Sequence, residues 1–419
     1  MSYFDVTGGR RLEGAVRVHG AKNSVLPILA ATILNGGISE IENCPHLTDV
    51  ETSIKILRHL GCRAVRKGDT LSVDTSCMSC NDVPDSLMRE MRSSVIFLGA
   101  IIARCGEARM SYPGGCELGP RPIDIHLSAL RSLGARIDES CGCMSCSAEG
   151  LSGREIILSM PSVGATENII LAACGAEGTT IICNAAREPE IVDLENFLRA
   201  MGADVSGAGS STVAINGKKK LHDCKYTIES DRIVASTYLS AAAALGGSVT
   251  LENVDYRRFS TVVSALSEAG CRIVSESDKV HIESDGSLRA IHPVRTAPYP
   301  GFPTDAQAVL MAALLKAKGT TVFIENIFES RYRHVDEMMR LGANIRTEGR
   351  VAVVCGVEKL RGAPLRASDL RSGAALIIAA LSAEGNSRVD GVHHIDRGYA
   401  SISEDLHALG AEIERKEEQ

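Results

Sequence analysis

A glycine-centred pentapeptide recurs six times along the chain, and no other sequence feature restricts the possible folds as strongly. It reads LGCRA, LGARI, MGADV, AGCRI, LGANI and LGAEI. Its glycines are Gly61, Gly134, Gly202, Gly270, Gly342 and Gly410, which lie 68 to 73 residues apart. Self-similarity at a nearly fixed period indicates that one supersecondary unit is repeated along the chain.

Each pentapeptide follows a second pattern, in which an apolar helix-like stretch ends at a glycine and continues as a β-rich run. Two examples are LAACGAEGTTIICN and LSAAAALGGSVTLEN. The glycines of this pattern are Gly37, Gly106, Gly178, Gly247, Gly319 and Gly385, each 23 to 28 residues before the next pentapeptide glycine. Glycine often ends a helix because it adopts the left-handed conformation that caps the last turn. The order predicts an α/β protein of six βαβαββ-type units.

The two ends of the chain predict how these units divide into domains. Only nine residues follow Gly410, whereas the strand-like segments FDVTG and LEGAVRVHG precede the first helix. We therefore expect residues 1–21 to complete the last unit. This predicts two domains of three units each, residues 22–229 and residues 230–419 with 1–21. The chain would cross between them twice, as at a hinge beside a central active-site cleft.

Composition excludes several classes of protein. A formal net charge of −7 and a pI near 5.9 argue against a dedicated nucleic-acid surface, which is normally basic. The N-terminal segment lacks the apolar core of a signal peptide, and no apolar run is long enough for a membrane span. Fourteen cysteines without a secretion signal indicate free thiols in a reducing compartment. We expect a cytoplasmic protein that does not insert into membranes and needs no obligate protein partner.

Charged side chains recur where the chain enters a helix or leaves a β-rich run. Taken singly, each is more often a solvated charge or a helix cap. Equivalent junctions of side-by-side units would meet at one rim, however, and two facing rims would form a cationic cleft in an acidic protein. The cationic residues are Lys22, Arg92, Arg121, Arg331, Arg371 and Arg397. They predict a multiply anionic ligand, with Asp305 and Asp369 available for proton transfer.

The segment SYPGGCELGPRP, residues 111–122, predicts a loop that carries a functional thiol. Its glycines and prolines disfavour a helix or a strand. Cys116 lies in its middle, five residues before Arg121. A buried thiol is usually inert, whereas a thiol on a Gly-rich loop beside a guanidinium is placed more like a reagent.

Six motifs give the chain a close resemblance to the UDP-N-acetylglucosamine 1-carboxyvinyltransferases, the enolpyruvyl transferases of bacterial cell-wall synthesis. They are GAKN, YPGGCELGPRPIDIH, SVGATEN, NAAREPEIVDLENFL, RTAPYPGFPTDAQA and HIDRGY. The resemblance runs along essentially the whole chain. It implies two inside-out α/β barrels of three repeats each. It also implies transfer of the enolpyruvyl group of phosphoenolpyruvate to the 3-hydroxyl of UDP-N-acetylglucosamine, the first committed step of peptidoglycan synthesis, with no metal or organic cofactor.

The resemblance also implies a role for individual residues. Cys116 would be the proton donor on a lid loop, and Asp305 the base. Phosphoenolpyruvate would be held by Lys22, Asn23, Arg121 and Arg397. Of these four residues, Lys22 and Arg397 are also expected to take part in catalysis. Asp305 would also contact the UDP-sugar, together with Arg92, Arg121, Pro122, Ile123, Asp124, Ile125, Ser162, Val163, Gly164 and Ile327. The remaining charged residues of the predicted cleft, Arg331, Asp369 and Arg371, are expected to bind substrate as well. Some family members have a lysine where this chain has Met160, which removes one diphosphate contact.

Other readings of the sequence remain. The shikimate-pathway carboxyvinyltransferase shares the fold and the reaction, but the Cys116 loop argues against it. A non-catalytic sugar-nucleotide-binding paralogue would not need an intact acid, base and arginine set. Ligand-like spacing of Cys77 and Cys80, and of Cys141, Cys143 and Cys146, would suit a metalloprotein, although free thiols on Ser/Gly-rich turns are favoured. His393 and His394 are expected to pack near Arg397 rather than act as bases.

Overall fold

The computed structural model of the protein describes residues 2–114, 123–140 and 142–418. Helices and strands alternate along these ranges, so the α/β class expected from the sequence is confirmed. The strands are β1 Ser2–Thr7, β2 Leu12–Arg17, β3 Ile38–Glu42, β4 Arg63–Lys67, β5 Thr70–Asp74, β6 Asp82–Val83, β7 Glu107–Ser111, β8 Arg136–Ser140, β9 Cys143–Ser147, β10 Glu155–Ile157, β11 Thr179–Cys183, β12 Asp204–Ser206, β13 Thr212–Asn216, β14 Cys224–Thr227, β15 Gly247–Glu252, β16 Arg272–Glu276, β17 Lys279–Ser284, β18 Val294–Arg295, β19 Thr320–Ile324, β20 Asn344–Glu348, β21 Val351–Cys355, β22 Pro364–Arg366, β23 Asn386–Asp390 and β24 Glu412–Glu417. 

The α-helices are α1 Lys22–Ala31, α2 Thr48–His59, α3 Asp85–Glu90, α4 Phe97–Cys105, α5 Asp124–Ser132, α6 Val163–Cys174, α7 Pro189–Ala200, α8 Arg232–Leu245, α9 Ser260–Glu268, α10 Thr304–Ala313, α11 Val335–Arg340, α12 Leu370–Leu381, α13 Val392–Ile395 and α14 Ile402–Ala408. Short 3₁₀ turns span Thr32–Leu34, Arg92–Ile96, Tyr256–Phe259, Leu314–Lys316 and Arg331–His334.

The described chain forms two compact units. One contains residues 20–114 and 123–229 and is called the continuous unit; the other contains residues 2–19 and 230–418 and is called the split unit. The divisions lie between His19 and Gly20 and between Glu229 and Ser230. The first of these divisions therefore lies before Gly20, whereas the sequence predicts it before Lys22.

The described strands form six four-stranded sheets that share one strand arrangement. Each has an edge strand, a parallel neighbour, and then two antiparallel strands. In the continuous unit the orders are β14-β3-β5-β4, β6-β7-β9-β8 and β10-β11-β13-β12. In the split unit they are β2-β15-β17-β16, β18-β19-β21-β20 and β22-β23-β1-β24.

The N-terminal strands differ from expectation. Strand β1 pairs with β23 and β24, and so completes the sheet of the last unit. Strand β2 instead pairs in parallel with β15, placing Val16 opposite Leu251. The expectation that all of residues 1–21 complete the last unit is therefore wrong for β2. A short strand with few apolar side chains does not encode its partner locally, because pairing depends on the distant sheet edge it meets.

Each unit has a core of three buried helices. Helices α1, α4 and α6 are the most apolar in the continuous unit, and α8, α10 and α12 take this place in the split unit. The strands alternate buried and exposed residues, as in IIC of β11 and TVFI of β19. One face of each sheet therefore packs towards the core, and burial of these apolar faces is the main force that holds the unit together.

The repeated glycines have the conformation that their position predicts. All six pentapeptide glycines have φ between 91° and 117°, the left-handed region that side-chain-bearing residues rarely adopt. In the first unit the left-handed residue of the second pattern is Gly36, with φ of 64°, rather than Gly37. The six-fold spacing in the sequence thus marks six positions where a helix ends and the chain reverses.

Candidate functional site

The split unit places Asp305 between two buried arginines. Asp305 is the second residue of α10, and its Oδ1 lies 3.3 Å from Nη2 of Arg331. Arg371 donates from Nε and Nη2 to Oδ2, each at 3.2 Å. The side chains of Arg331 and Arg371 are 2% and 4% exposed, whereas that of Asp305 is 28% exposed. The two guanidinium groups hold both oxygens of the Asp305 carboxylate in place, and solvent can still reach this side chain.

The arginines of this group are held by further contacts. Arg331 also donates to the Thr304 carbonyl at 2.9 Å, and its guanidinium lies 5.8 Å from the Phe328 ring centroid. The Arg371 guanidinium lies 5.8 Å from the Tyr399 ring centroid. Burial opposes the charge of Arg371, but Asp305, Tyr399 and Asp231 together more than offset it, so the pKa of Arg371 lies above its usual value. Both predicted binding arginines therefore position Asp305.

Asp369 begins the neighbouring helix α12 as its N-cap. Its Oδ1 accepts hydrogen bonds from the backbone N–H groups of Arg371 and Ser372, at 3.0 and 3.1 Å. Burial raises the pKa of Asp369, but Arg331, the hydrogen bonds with Ser372 and the charge of His334 together outweigh burial, so the net shift of this pKa is downwards. Asp369 stabilises a helix end here, which makes it a weaker candidate base than Asp305.

Ile327 lies in a loop that a buried glutamate organises. Glu325 Oε1 accepts hydrogen bonds from the N–H groups of Ile327 and Phe328, at 2.8 and 3.1 Å, and from Oγ1 of Thr296 at 2.9 Å. Its Oε2 accepts from Oγ1 of Thr304, the first residue of α10, at 3.0 Å. Glu325 thus joins the Ile327 loop to the helix that carries Asp305, a role that sequence analysis missed.

The remaining predicted residue of the split unit is Arg397. It is half-buried in the turn that follows α13, where the Gly398 and Tyr399 N–H groups donate to the Ile395 carbonyl. His394 and His393 lie just before it, with ring centroids 4.0 Å apart.

Sequence analysis also missed Arg232, at the start of α8. It is 9% exposed, and its guanidinium lies 5.8 Å from the Tyr299 ring centroid. The preceding Asp231 caps the helix by accepting from the Ile233 and Val234 N–H groups. Comparison of the repeats could have found it, because SDRIVAS at residues 230–236 parallels SDLRSGA at residues 368–374.

In the continuous unit, Lys22 is the first residue of α1 and is 8% exposed. Its Nζ lies 2.7 Å from Oδ2 of Asp49, a buried residue in the first turn of α2. Asn23 follows and is half-buried. Ala21, at the N-cap, has no side chain that could cap the helix. Asp49 fixes the buried Nζ of Lys22 beside a helix N-terminus, where an anion is favoured.

Four predicted residues line one cavity of the continuous unit. This cavity has a volume of about 710 Å³, within the range of small-ligand sites. Arg92 and the segment from Ile123 to Ile125 contribute to it, opposite Leu158 and Ser159. Arg92 Nη1 also donates to the Gly114 carbonyl at 3.4 Å. The structure therefore brings Arg92 together with the consecutive residues Ile123, Asp124 and Ile125, which lie far from it in the sequence.

Helix α6 begins close to this cavity. Ser162 is its N-cap and accepts from the Ala165 N–H, with Val163 as the first helical residue. A side chain at Gly164 would lie 3.0 Å from the His126 ring, so only glycine leaves this approach open.

His126 is a third buried group that the sequence analysis did not single out. Asn168 Nδ2 donates to its Nδ1 at 3.1 Å and to the Val95 carbonyl at 2.9 Å. Burial, reinforced by the positive charge of Arg92 and opposed by Asp124, lowers the pKa of His126 to about 4. The ring is therefore neutral at physiological pH, and it packs α5 against α6.

Cys116, Arg121 and Pro122 lie outside the described residues. Of the five cysteines with ligand-like spacing, Cys141 also lies outside them. Cys77 is exposed, Cys143 and Cys146 belong to β9, and Cys80 alone of the described four lies in a group of three potential metal ligands. The twelve cysteines within the described ranges are all unpaired. Across those same ranges, no helix has both the length and the apolar character needed to span a membrane.

Comparisons with known proteins agree along the whole chain. A family model described as EPSP synthase (3-phosphoshikimate 1-carboxyvinyltransferase) matches residues 6–406. The chain is 50% identical over 415 residues to UDP-N-acetylglucosamine 1-carboxyvinyltransferase 2 of Caldanaerobacter subterraneus subsp. tengcongensis, covering 99% of this chain and 100% of that relative. It is 44% identical over 416 residues to UDP-N-acetylglucosamine 1-carboxyvinyltransferase of Acinetobacter baylyi, covering 99% and 100%.

Solved structures show the same likeness. The enolpyruvyl transferase NikO from Streptomyces tendae matches with a TM-score of 0.89 at 28% identity, covering 99% of this chain and 98% of that one. EPSP synthase from Acinetobacter baumannii matches with a TM-score of 0.76 at 21% identity, covering 100% of both chains. The second match shows likeness of fold alone.

Proposed function

The chain belongs to the EPSP synthase family and, within it, to the UDP-N-acetylglucosamine 1-carboxyvinyltransferases, and from this premise we propose its function. It is a transferase that moves the enolpyruvyl group of phosphoenolpyruvate to the 3-hydroxyl of UDP-N-acetylglucosamine and releases phosphate. This is the first committed step of peptidoglycan synthesis. The observation that carries the proposal is 50% identity over 99% of the chain to a relative of that name.

The reaction needs an acid, a base and cationic groups. Protonation of the methylene carbon of phosphoenolpyruvate creates a cationic centre at C2. The sugar hydroxyl attacks C2 as a base removes its proton, which gives a tetrahedral intermediate with a methyl group at C3. Loss of phosphate from C2, together with a proton from that methyl group, gives the enol ether. We assign the acid to Cys116 and the base to Asp305, whose carboxylate is held in place by Arg331 and Arg371.

Anionic groups of the substrates call for the cationic residues. We assign phosphoenolpyruvate to Lys22, Asn23, Arg121 and Arg397, because a phosphate and a carboxylate each favour lysine or arginine. Asp49 supports this role of Lys22 by balancing its charge when no substrate is bound.

The cavity beside Arg92 is assigned to the sugar nucleotide. It combines a guanidinium, apolar side chains and a nearby helix N-terminus at Ser162–Gly164, which together suit a diphosphate joined to rings. Met160 cannot supply the lysine contact of some relatives. The sugar 3-hydroxyl would have to reach Asp305 and the Ile327 loop, which belong to the split unit. We therefore propose that the active site forms between the two units.

The finer architecture and setting belong to the same proposal. Each unit would be an inside-out α/β barrel of three repeats, in which three sheets surround three buried helices. The six sheets of one strand order support this arrangement. A cytoplasmic location fits the unpaired described cysteines and a substrate pair of phosphorylated metabolites. No metal or organic cofactor is assigned a step.

A phosphate-release assay tests the function. Purified full-length protein is incubated with phosphoenolpyruvate and either UDP-N-acetylglucosamine or shikimate 3-phosphate. We expect phosphate release with UDP-N-acetylglucosamine and none above background with shikimate 3-phosphate. Release with shikimate 3-phosphate alone would assign the chain to the other branch of the family. Binding of the sugar nucleotide without phosphate release would favour the non-catalytic paralogue.

A further inference from the structure

Three potential metal ligands converge on the surface of the continuous unit, and none of them is a residue assigned to catalysis. His59 is the last residue of α2, Cys80 lies in the loop after β5, and Asp82 begins β6. One ligand atom from each lies within 4.8 Å of the other two. Among residues 2–114, 123–140 and 142–418, no other three His, Cys, Asp or Glu side chains converge in this way.

The order of contacts within this group does not suit nucleophilic catalysis. Cys80 Sγ lies 2.6 Å from Asp82 Oδ1, and His59 Nε2 lies 3.4 Å from Asp82 Oδ2. The carboxylate therefore stands between the thiol and the imidazole. In a nucleophilic triad the imidazole stands between the other two, so that it can take the proton of the nucleophile. His59 cannot activate Cys80 in this arrangement.

The same three groups suit a divalent cation. A nitrogen, a sulfur and an oxygen donor form a typical ligand set for zinc, with bonds of about 2.0–2.3 Å. The side chains of His59 and Asp82 are 36% and 46% exposed, so an ion and a fourth ligand from water can enter from solvent.

We propose that His59, Cys80 and Asp82 form a binding site for one zinc ion or a chemically similar divalent cation. On binding, the Cys80 thiol releases its proton to solvent and the thiolate bonds to the metal. Nε2 of His59 and a carboxylate oxygen of Asp82 complete the protein ligands. The sulfur and oxygen, now at hydrogen-bond distance, then separate by roughly 1 Å, as expected for two ligands of one tetrahedral ion.

Such a site would join parts of two neighbouring repeats. His59 ends a helix of the first repeat, whereas Asp82 begins the edge strand of the second sheet. That strand is short, since β6 pairs with β7 through only Asp82 and Val83. A metal bound across these segments would stabilise the folded unit by mass action. With zinc at a hundredfold excess over its dissociation constant, we expect the thermal midpoint to rise by about 3 °C.

Metal titration of the full chain tests the proposal. Chelator-treated protein is equilibrated with zinc chloride and analysed for bound zinc, and cobalt is used in parallel as a spectroscopic probe. The variants are Cys80→Ser and His59→Gln, and the matched control is Cys77→Ser, an exposed thiol three residues away that lies outside the group. His59→Gln retains every cysteine and so carries the test if Cys80→Ser fails to fold.

We expect wild type and Cys77→Ser to bind one more equivalent of zinc than Cys80→Ser or His59→Gln. The thiolate-to-cobalt absorption of this site and the zinc-dependent rise in thermal midpoint are lost with the same two variants. Equal zinc binding by wild type and both variants would overturn the proposal. Loss of the extra equivalent in Cys77→Ser alone would overturn it as well, because the thiol would then be the wrong one.

Discussion

Asp305 receives hydrogen bonds from two nearly fully buried guanidinium groups, and this restricts the substitution that can test it. Alanine would leave Arg331 and Arg371 buried without their shared partner, which typically costs about 3–5 kcal/mol of stability. Asparagine keeps the shape and one acceptor oxygen but cannot take a proton. A loss of activity in Asp305→Asn therefore reports on proton transfer more directly than one in Asp305→Ala.

We predict that Asp305→Asn lowers kcat by about 10²–10⁴-fold while UDP-N-acetylglucosamine still binds, because only the base is removed. Phosphate release gives kcat, and calorimetric titration gives sugar-nucleotide binding. The control is Asp336→Asn, an exposed carboxylate in the first turn of α11, which is expected to match wild type. Activity of Asp305→Asn within tenfold of wild type would assign the base elsewhere.

Cys116 has two separable roles, proton donor and reactive thiol. We predict appreciable activity for Cys116→Asp, which retains a proton donor, and little for Cys116→Ala. A phosphonate epoxide that mimics phosphoenolpyruvate should inactivate only the wild type, because the thiolate is the reactive nucleophile. Peptide mass spectrometry locates the adduct. An adduct on Cys77 or Cys80 instead would show that the reactive thiol is not Cys116.

His126 links a buried group to the pH dependence of stability. Its pKa is about 4 in the folded protein, against an ordinary value of 6.5. The unfolded chain therefore binds more protons between these values. Neutral His126 contributes up to about 3 kcal/mol to the free energy of unfolding. This contribution is complete above pH 6.5 and is lost as the pH falls towards 4.

We predict that His126→Gln makes the free energy of unfolding fall less steeply between pH 6.5 and 4 than it does in wild type. Denaturant unfolding at several pH values measures this slope. The control, His407→Gln, replaces an exposed histidine at the end of α14 and should leave the slope unchanged. Equal slopes for wild type and His126→Gln would contradict the assignment.

At the scale of elements, the features that could be predicted were those with a local signal in the sequence, such as the ends of helices. A helix end that needs a left-handed residue selects glycine, so the pentapeptide glycines mark chain reversals wherever they occur. The sequence analysis did not single out a second local signal, which is carried by asparagines. In four sheets an asparagine lies just after the strand that pairs in parallel with the edge strand. Its side-chain amide donates to the carbonyl of the residue that follows the edge strand. These residues are Asn43, Asn184, Asn253 and Asn326.

Contacts between distant segments could not be predicted in this way. The sequence marks Lys22 as cationic, but its partner Asp49 comes from another helix, and only packing of α1 against α2 brings them within 2.7 Å. Strand β2 likewise finds β15 from across the chain. Asp305 was predicted from a specific motif, whereas its ion pairs with Arg331 and Arg371 depend on contacts between distant segments.

Glu325 joins two elements of the split unit, the loop that contains Ile327 and helix α10. We predict that Glu325→Ala lowers the free energy of unfolding by about 3 kcal/mol or more, since four hydrogen bonds to a buried carboxylate are lost. It should also raise KM for UDP-N-acetylglucosamine by releasing the Ile327 loop. Glu325→Gln retains Oε1 and is the matched control. Equal losses in both variants would contradict this reading.

At the scale of the whole molecule, the chain passes between its two units at two places. Within the split unit, the Asp231 N–H donates to the His19 carbonyl at 2.9 Å. Within the continuous unit, the Ala21 N–H donates to the Glu229 carbonyl at 2.7 Å. The two passages therefore run beside each other, and each is only a few residues long. Two short adjacent connections are what the hinge predicted from the sequence requires.

We predict that saturating UDP-N-acetylglucosamine lowers the radius of gyration measured by small-angle scattering. The proposed ligand contacts are divided between the units, with Lys22 and Arg92 in one and Asp305 and Ile327 in the other. A ligand that contacts both units favours the closed arrangement in proportion to the contacts made only there. Phosphoenolpyruvate alone, the control ligand, should leave the radius unchanged, because the donor is fully held only after the sugar nucleotide closes the site. An unchanged radius at saturation with UDP-N-acetylglucosamine would remove the hinge from the mechanism and require the site to be formed before either substrate binds.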